Sequence, residues 1–156
     1  MIKDKTKNRG KAVDKMDQKI KDAIFKKIEE EPFAQRFGIK LIELDKGYAK
    51  VQMELTHYMG NIFGMAHGGA IFALIDEAFE AASNSHGTVA LALNMNLSYI
   101  TPPAPDSRLT AEAKELSLTK RTANYDIRVY DENGKLIALS QALVYRKDDR
   151  LPFLKG

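Results

Sequence analysis

Six successive apolar residues, Ala70-Ile71-Phe72-Ala73-Leu74-Ile75, lie in a segment that reads as a helix from about Gly68 to Ser85. A helix that is apolar on every side has no face to offer water. It must be enclosed by a sheet curled around it, or by a sheet and a partner together. The flanking sequence supplies such a sheet. Before the helix, Ile39, Leu41 and Leu44, the turn Asp45-Lys46-Gly47, and then Tyr48, Ala49, Val51, Met53 and Leu55 read as a hairpin. After it, Val89, Leu91, Leu93, Met95, Leu97 and Tyr99 alternate with Ala90, Ala92, Asn94, Asn96 and Ser98. That period of two predicts a strand with each set on its own face. Pro102-Pro103 and Pro105 end it. Strands near 107–118, 121–131 and 135–147 follow, the last two joined at Glu132-Asn133-Gly134. The element order is β–β–α–β–β–β–β, an α+β domain.

A further helix precedes this unit. Val13, Met16, Ile20, Ala23, Ile24 and Ile28 fall at gaps of three and four, one amphipathic face that stops at Glu31-Pro32. A short helical turn over Phe33–Phe37 ends at Gly38. The expected division is a flexible basic arm and amphipathic helix over 1–31, one domain over 32–148, and a tail over 149–156.

The chemistry concentrates at 61–76. His67-Gly68-Gly69 stands where a loop enters the long helix. The first N–H groups of a helix lack intrahelical acceptors, glycine lets a ligand approach them, and the positive end of the helix suits an anion or a developing oxyanion. Asp76 interrupts the apolar run, where a buried carboxylate is costly unless paired or functional. Eight residues separate Gly68 from Asp76, about 12 Å along a helix. The two cannot reach one small reacting group within one chain. Their cooperation requires two chains with antiparallel helices and sites at a two-fold interface.

With Asn61 six residues before His67 and Asp76 nine after it, the stretch resembles the hotdog-fold acyl-CoA thioesterases of the phenylacetic-acid-degradation type. The resemblance spans about residues 32–147. It also takes in the Pro32–Gly38 entry, the Asn94–Pro102 strand and Lys120-Arg121-Thr122. It implies a hotdog fold: a curved antiparallel sheet of five or six strands around a long central helix, here with an extra N-terminal helix. It further implies hydrolysis of acyl-CoA to acid and CoA, with no metal and no cofactor, CoA being part of the substrate. A homodimer is expected, assembling into a tetramer. Carried over residue by residue, the Gly68 N–H polarises the thioester carbonyl, and Asp76 of the partner acts as general base or nucleophile. Asn61 positions water or the acyl carbonyl, and His67 orders the loop. Gly69, Phe63 and Asn94 join the substrate contacts, while Lys120, Arg121 and Thr122 lie near the CoA nucleotide, where phosphate attracts cations. Some relatives carry Ser or Thr near Ala92 to hold water. Ala92 cannot, so that role is absent or passes to Asn94. Glu80, one turn after Asp76, is expected to raise the Asp76 pKa by like-charge proximity.

Several of these residues also admit plain structural readings. Phe63, Phe79, Met59 and Met95 serve equally as core, and His57 and His86 read as surface residues. An acyl-CoA-sensing regulator on this fold needs a helix-turn-helix, and only about 30 residues with one helix precede the domain. A dehydratase needs a loop context that is absent.

Composition narrows the classes further. The chain has 156 residues and a formal charge of +3, but residues 1–30 carry 10 basic and 6 acidic side chains while the remainder is nearly neutral. The body is therefore not a basic nucleic-acid-binding domain, and no nucleic-acid or membrane partner is expected. The chain has no cysteine, which excludes disulfides and thiolate chemistry. The charged start has no apolar core of a secretory signal, and a cytoplasmic protein is expected.

Overall fold

The computed structural model describes residues 15–154. Helix α1 runs Gln18–Glu30, α2 Pro32–Phe37 and α3 Gly68–Asn84. The strands are β1 Lys40–Asp45, β2 Tyr48–Glu54, β3 Thr88–Tyr99, β4 Arg108–Leu118, β5 Thr122–Tyr130 and β6 Leu136–Arg150. They form one antiparallel sheet in the order β1-β2-β4-β5-β6-β3, so β1 and β3 are its edges. The expected element order and enclosed helix are both present, with six strands.

Small side chains let the sheet close on α3. Ala49, Ala111, Ala113, Ala123, Ala138 and Ala142 are buried on the concave face, opposite Ala70, Ala73, Ala78, Ala81 and Ala82 of the helix. Bulk enters at Phe79 and Tyr125, whose rings meet edge-on with centroids 5.5 Å apart.

The first helix starts later than its apolar spacing predicts. Asp17 is the N-cap, its carboxylate accepting from the Lys19 N–H at 2.8 Å, so Met16 lies outside the helix. A cap of this kind contributes about 1 kcal/mol. Val13 and the basic arm lie outside the described residues. Ile24 and Ile28 bury the apolar face of α1, each contributing about 1.5–3 kcal/mol by transfer from water. Gly38 ends α2 in the left-handed region at φ 65°, a conformation that suits glycine. The final strand reaches Arg150, three residues past its expected end. Leu151 beyond it is buried, and the Phe153 ring lies 5.9 Å from the Lys27 ammonium of α1.

The alternation expected through β3 is interrupted. Ala92 pairs with Val144 of β6 but Asn94 pairs with Leu143, leaving Leu93 as an extra residue in a bulge. Val144, Ala142, Ser140 and Ala138 form the buried row of β6. Ala92, Met95, Leu97 and Tyr99 face the same side as that row, and Asn94, Asn96 and Ser98 face the other. The six large residues of β3 therefore do not share a face.

Candidate active site at the start of the central helix

His67 is the N-cap of α3, and its imidazole Nδ1 accepts from the Gly69 N–H at 2.8 Å. This consumes the Gly69 donor and leaves Gly69 no N–H for a ligand. The His67 carbonyl accepts from Ala70 and Ile71. Among the described residues, no acceptor takes the Gly68 N–H. One donor at the positive end of the helix is thus left available, and His67 is committed to holding the turn.

Tyr99, on the concave side of β3, fixes the same turn from the other direction. Its hydroxyl donates to the Gly68 carbonyl at 2.9 Å. A Cβ at Gly68 would lie 2.8 Å from that hydroxyl, so any side chain there must displace the Tyr99 ring.

Asn61 organises the preceding loop. Its side-chain oxygen accepts from the N–H groups of Phe63, at 2.9 Å, and Met65, at 3.1 Å. The Asn61 N–H donates to the Met65 carbonyl at 2.7 Å, and the His67 N–H donates to the Met59 carbonyl at 2.7 Å. The loop displays its apolar side chains: Tyr58 is 87%, Ile62 93% and Phe63 74% exposed. Phe63 therefore belongs to neither the core nor a pocket of a single chain.

Asp76 lies two turns along α3 and is half-buried. It faces a cavity of about 430 Å³ bounded by α1, α3, β3 and the C-terminal turn. A larger hollow of about 840 Å³ behind the 56–59 segment contains none of Asn61, His67, Gly68 or Asp76. Burial pushes the Asp76 carboxyl up from its ordinary value. The expected like-charge contribution of Glu80 to Asp76 is not found. Glu80 itself is pushed up to about 7, first by desolvation among its neighbours and then by Glu31 and Asp76. The asymmetry has a physical cause: Asp76 loses its proton first, so the repulsion falls on the group that titrates second.

The sequence reading missed two more carboxyl groups. Glu77 is only 3% exposed, and its Oε1 has no hydrogen-bond partner. It is pushed up to about 8 by burial, then by Glu31, Glu80 and Asp76. Glu31, from the α1–α2 junction, is itself raised by burial and then by Asp76.

The remaining expected residues lie elsewhere. Asn94 is on the outer face of β3, turned away from α3 by the bulge at Leu93, so it cannot replace a hydroxyl at Ala92, which does line the Asp76 cavity. Lys120 and Arg121 are exposed at the β4–β5 turn. Arg121 lies 3.7 Å from Asp148, Thr122 hydrogen-bonds with Thr119, and none of the three borders the Asp76 cavity. His86, read as a surface residue, is half-buried, with Nε2 2.6 Å from Glu115. Among the described residues no group of three His, Cys, Asp or Glu side chains could hold a metal ion, and no helix is long and apolar enough to cross a membrane.

Comparison with known proteins gives consistent matches. Residues 63–138 match the thioesterase superfamily. A putative esterase of Archaeoglobus fulgidus is 37% identical over 137 residues, 88% of this chain and 87% of that protein. The acyl-coenzyme A thioesterase PaaI of Escherichia coli is 35% identical over 118 residues, 76% of this chain and 84% of its own length. The structure of the E. coli PaaI protein superimposes with a TM-score of 0.82 at 31% identity, over 86% of this chain and 98% of that one. A mutant structure of the phenylacetic acid degradation protein PaaI of Thermus thermophilus matches with a TM-score of 0.72 at 39% identity, over 75% of this chain and all of the other.

Proposed function

This chain belongs to the thioesterase superfamily, as a thioester hydrolase related to the acyl-CoA thioesterases, and from that premise we propose that it hydrolyses acyl-CoA at sites shared between two copies of itself. The observation that carries this reading is the division of the site along α3. The available Gly68 N–H and the Asp76 carboxylate stand eight residues apart on one continuous helix, about 12 Å at the helical rise. Neither reaches the other's reacting group within one chain.

The sheet edge supports the pairing. β3 is a 12-residue edge strand with Leu91, Leu93 and Tyr99 about half exposed. Such an edge invites a second strand. Antiparallel pairing of two copies of β3 sets two α3 helices antiparallel, bringing Gly68 of one chain toward Asp76 of the other. It also covers the exposed Phe63 loop, giving Phe63 a place against substrate.

In the reaction, the Gly68 N–H donates to the thioester oxygen as it becomes an oxyanion. Asp76 of the opposite chain either removes a proton from the attacking water or attacks the carbonyl carbon itself. On the first route the water oxygen bonds to the carbonyl carbon, the C–S bond breaks and the proton taken up by Asp76 passes to the departing thiolate. On the second the C–S bond breaks as an acyl–Asp76 anhydride forms. Water then cleaves that anhydride to the acid and free Asp76, and the proton that water releases goes to the thiolate. The Asn61 amide nitrogen is the donor left over from loop building, placed to hold water or the acyl oxygen. The E. coli relative is named an acyl-coenzyme A thioesterase, which supports the substrate class. Lys120, Arg121 and Thr122 remain a candidate contact for the nucleotide phosphates. The test is release of free thiol from acyl-CoA. Asp76→Asn lowers kcat by about 10²–10⁴-fold, the range for a general base, with the fold retained. Near-normal turnover by that variant rejects the role of Asp76.

A further inference from the structure

The cavity beside Asp76 has walls that catalysis does not require. α1 contributes Ile24 and Ile28, and the segment after β6 contributes Leu151 and Phe153. Ile24, Ile28 and Leu151 are each under 5% exposed, and Phe79 of α3, also in the lining, is 1% exposed. One side of the cavity is therefore formed by α1 and the segment after β6, outside the strands and helix that carry the reacting groups.

Its direction follows from α3. Asp76, Glu80 and Asn84 line it at successive turns, so it extends from Asp76 toward the C-terminal end of the helix over about 12 Å. That far end is tied down. The Asn84 side chain accepts from the Ala90 N–H at 2.9 Å and donates to the Ala90 carbonyl at 3.3 Å, fixing the end of α3 to β3. The volume, about 430 Å³, is in the range of small-molecule pockets.

We propose that α1 and the C-terminal turn form the end wall of the acyl compartment, so that they set the longest acyl group the enzyme accepts: an uncharged, apolar group of about 12 Å. An extended chain of about ten carbons spans that length, because C–C bonds of about 1.5 Å in a zigzag advance about 1.25 Å each. This rests on the thioesterase reading, which places the thioester carbon at Asp76 and sends its acyl group into the adjoining cavity. Charge adds a second restriction. Glu31, Asp76 and Glu80 border the cavity against a single ammonium, that of Lys27, and this balance disfavours an acyl group ending in a carboxylate.

The test is free-thiol release from straight-chain acyl-CoA substrates, acetyl to tetradecanoyl, with glutaryl-CoA as the charged probe. Wild type loses at least ten-fold in kcat/KM beyond about ten carbons, in line with the cost of misfit methylenes, and turns over glutaryl-CoA more slowly than hexanoyl-CoA. Phe153→Ala opens the far end and raises the dodecanoyl-to-hexanoyl ratio of kcat/KM about ten-fold. Ala92→Met, at an exposed residue of the cavity wall, fills the near end and lowers the hexanoyl-to-acetyl ratio. If Phe153→Ala does not fold, the smaller truncation Phe153→Leu tests the same wall. If wild type cleaves no acyl-CoA, the thioesterase reading fails and this inference with it. If wild type cleaves them and the folded variants keep its ratios, the hydrolase reading stands and the end-wall assignment falls.

Discussion

The Tyr99 hydroxyl donates to the Gly68 carbonyl at 2.9 Å and crowds the same position, where a Cβ would come within 2.8 Å of it. One residue thus anchors the helix start and must itself move if Gly68 gains a side chain. Gly68→Ala keeps the backbone N–H but is expected to displace it, and such a misplacement lowers kcat by about 10²-fold. Tyr99→Phe loses one hydrogen bond, about 1 kcal/mol of stability, and keeps most of the turnover. Thiol-release kinetics and thermal unfolding of the two variants check the pair.

Sharing of the site between chains has a sharper consequence. A heterodimer of one Asp76→Asn chain with one Gly68→Ala chain has one site with both wild-type groups and one with neither. Its turnover is about half that of wild type under two-fold symmetry, although each mutant homodimer is nearly inactive. Sites confined to single chains would leave the heterodimer inactive as well. Differently tagged chains purified as a mixed dimer give the answer directly.

His67 uses Nδ1 to accept from Gly69, which makes it a cap and not the reaction's base. His67→Asn, another capping side chain, is expected to retain most turnover. His67→Ala costs about 1 kcal/mol of stability with a smaller effect on kcat than Asp76→Asn. A drop for His67→Asn as deep as that for Asp76→Asn would contradict the capping role.

Asp76 must be ionised to react, and burial raises its pKa, so activity falls with acidification through that raised value. Because Glu80 carries the repulsion between the two, Glu80→Gln is expected to leave the acid limb of kcat/KM where it lies in wild type. Movement of that limb to lower pH in the variant would restore Glu80 as the group that tunes Asp76.

Glu77 provides a stability test independent of catalysis. Its carboxyl, near 4.5 when unfolded, is pushed up to about 8 in the fold. Between these values the folded chain binds more protons than the unfolded chain, so stability declines as pH rises from about 4.5 and levels off above about 8. Glu77→Gln removes the titrating group, and its Tm varies less across that window. Parallel curves for variant and wild type would show that Glu77 does not titrate there.

The enclosed helix was legible because six apolar residues in succession leave no alternative to burial, and the strands were legible from alternation and proline stops. Asp76 stood out because its charge broke the apolar run. Glu77, one position further, is also acidic yet is the more deeply buried. Nothing local separates the two, since their difference depends on Glu31 arriving from the α1–α2 junction. The contact between Tyr99 and Gly68 was hidden for a similar reason. It spans 31 residues and depends on register, which composition does not encode. The cavity wall from α1 and Phe153 joins opposite ends of the chain, a proximity no periodicity reports.

The bulge at Leu93 acts on β3 as a frame shift acts on a message. Upstream of it the inward positions are Ala90 and Ala92, and downstream they are Met95, Leu97 and Tyr99. Small residues therefore fall beside Asp76 and a large aromatic falls over Gly68. Were Leu93 instead paired in an unbulged strand, the regular two-beat alternation would turn Tyr99 outward, freeing the helix entry of its clamp. A single inserted residue thus lets one strand leave room at one end of the helix and press closely at the other.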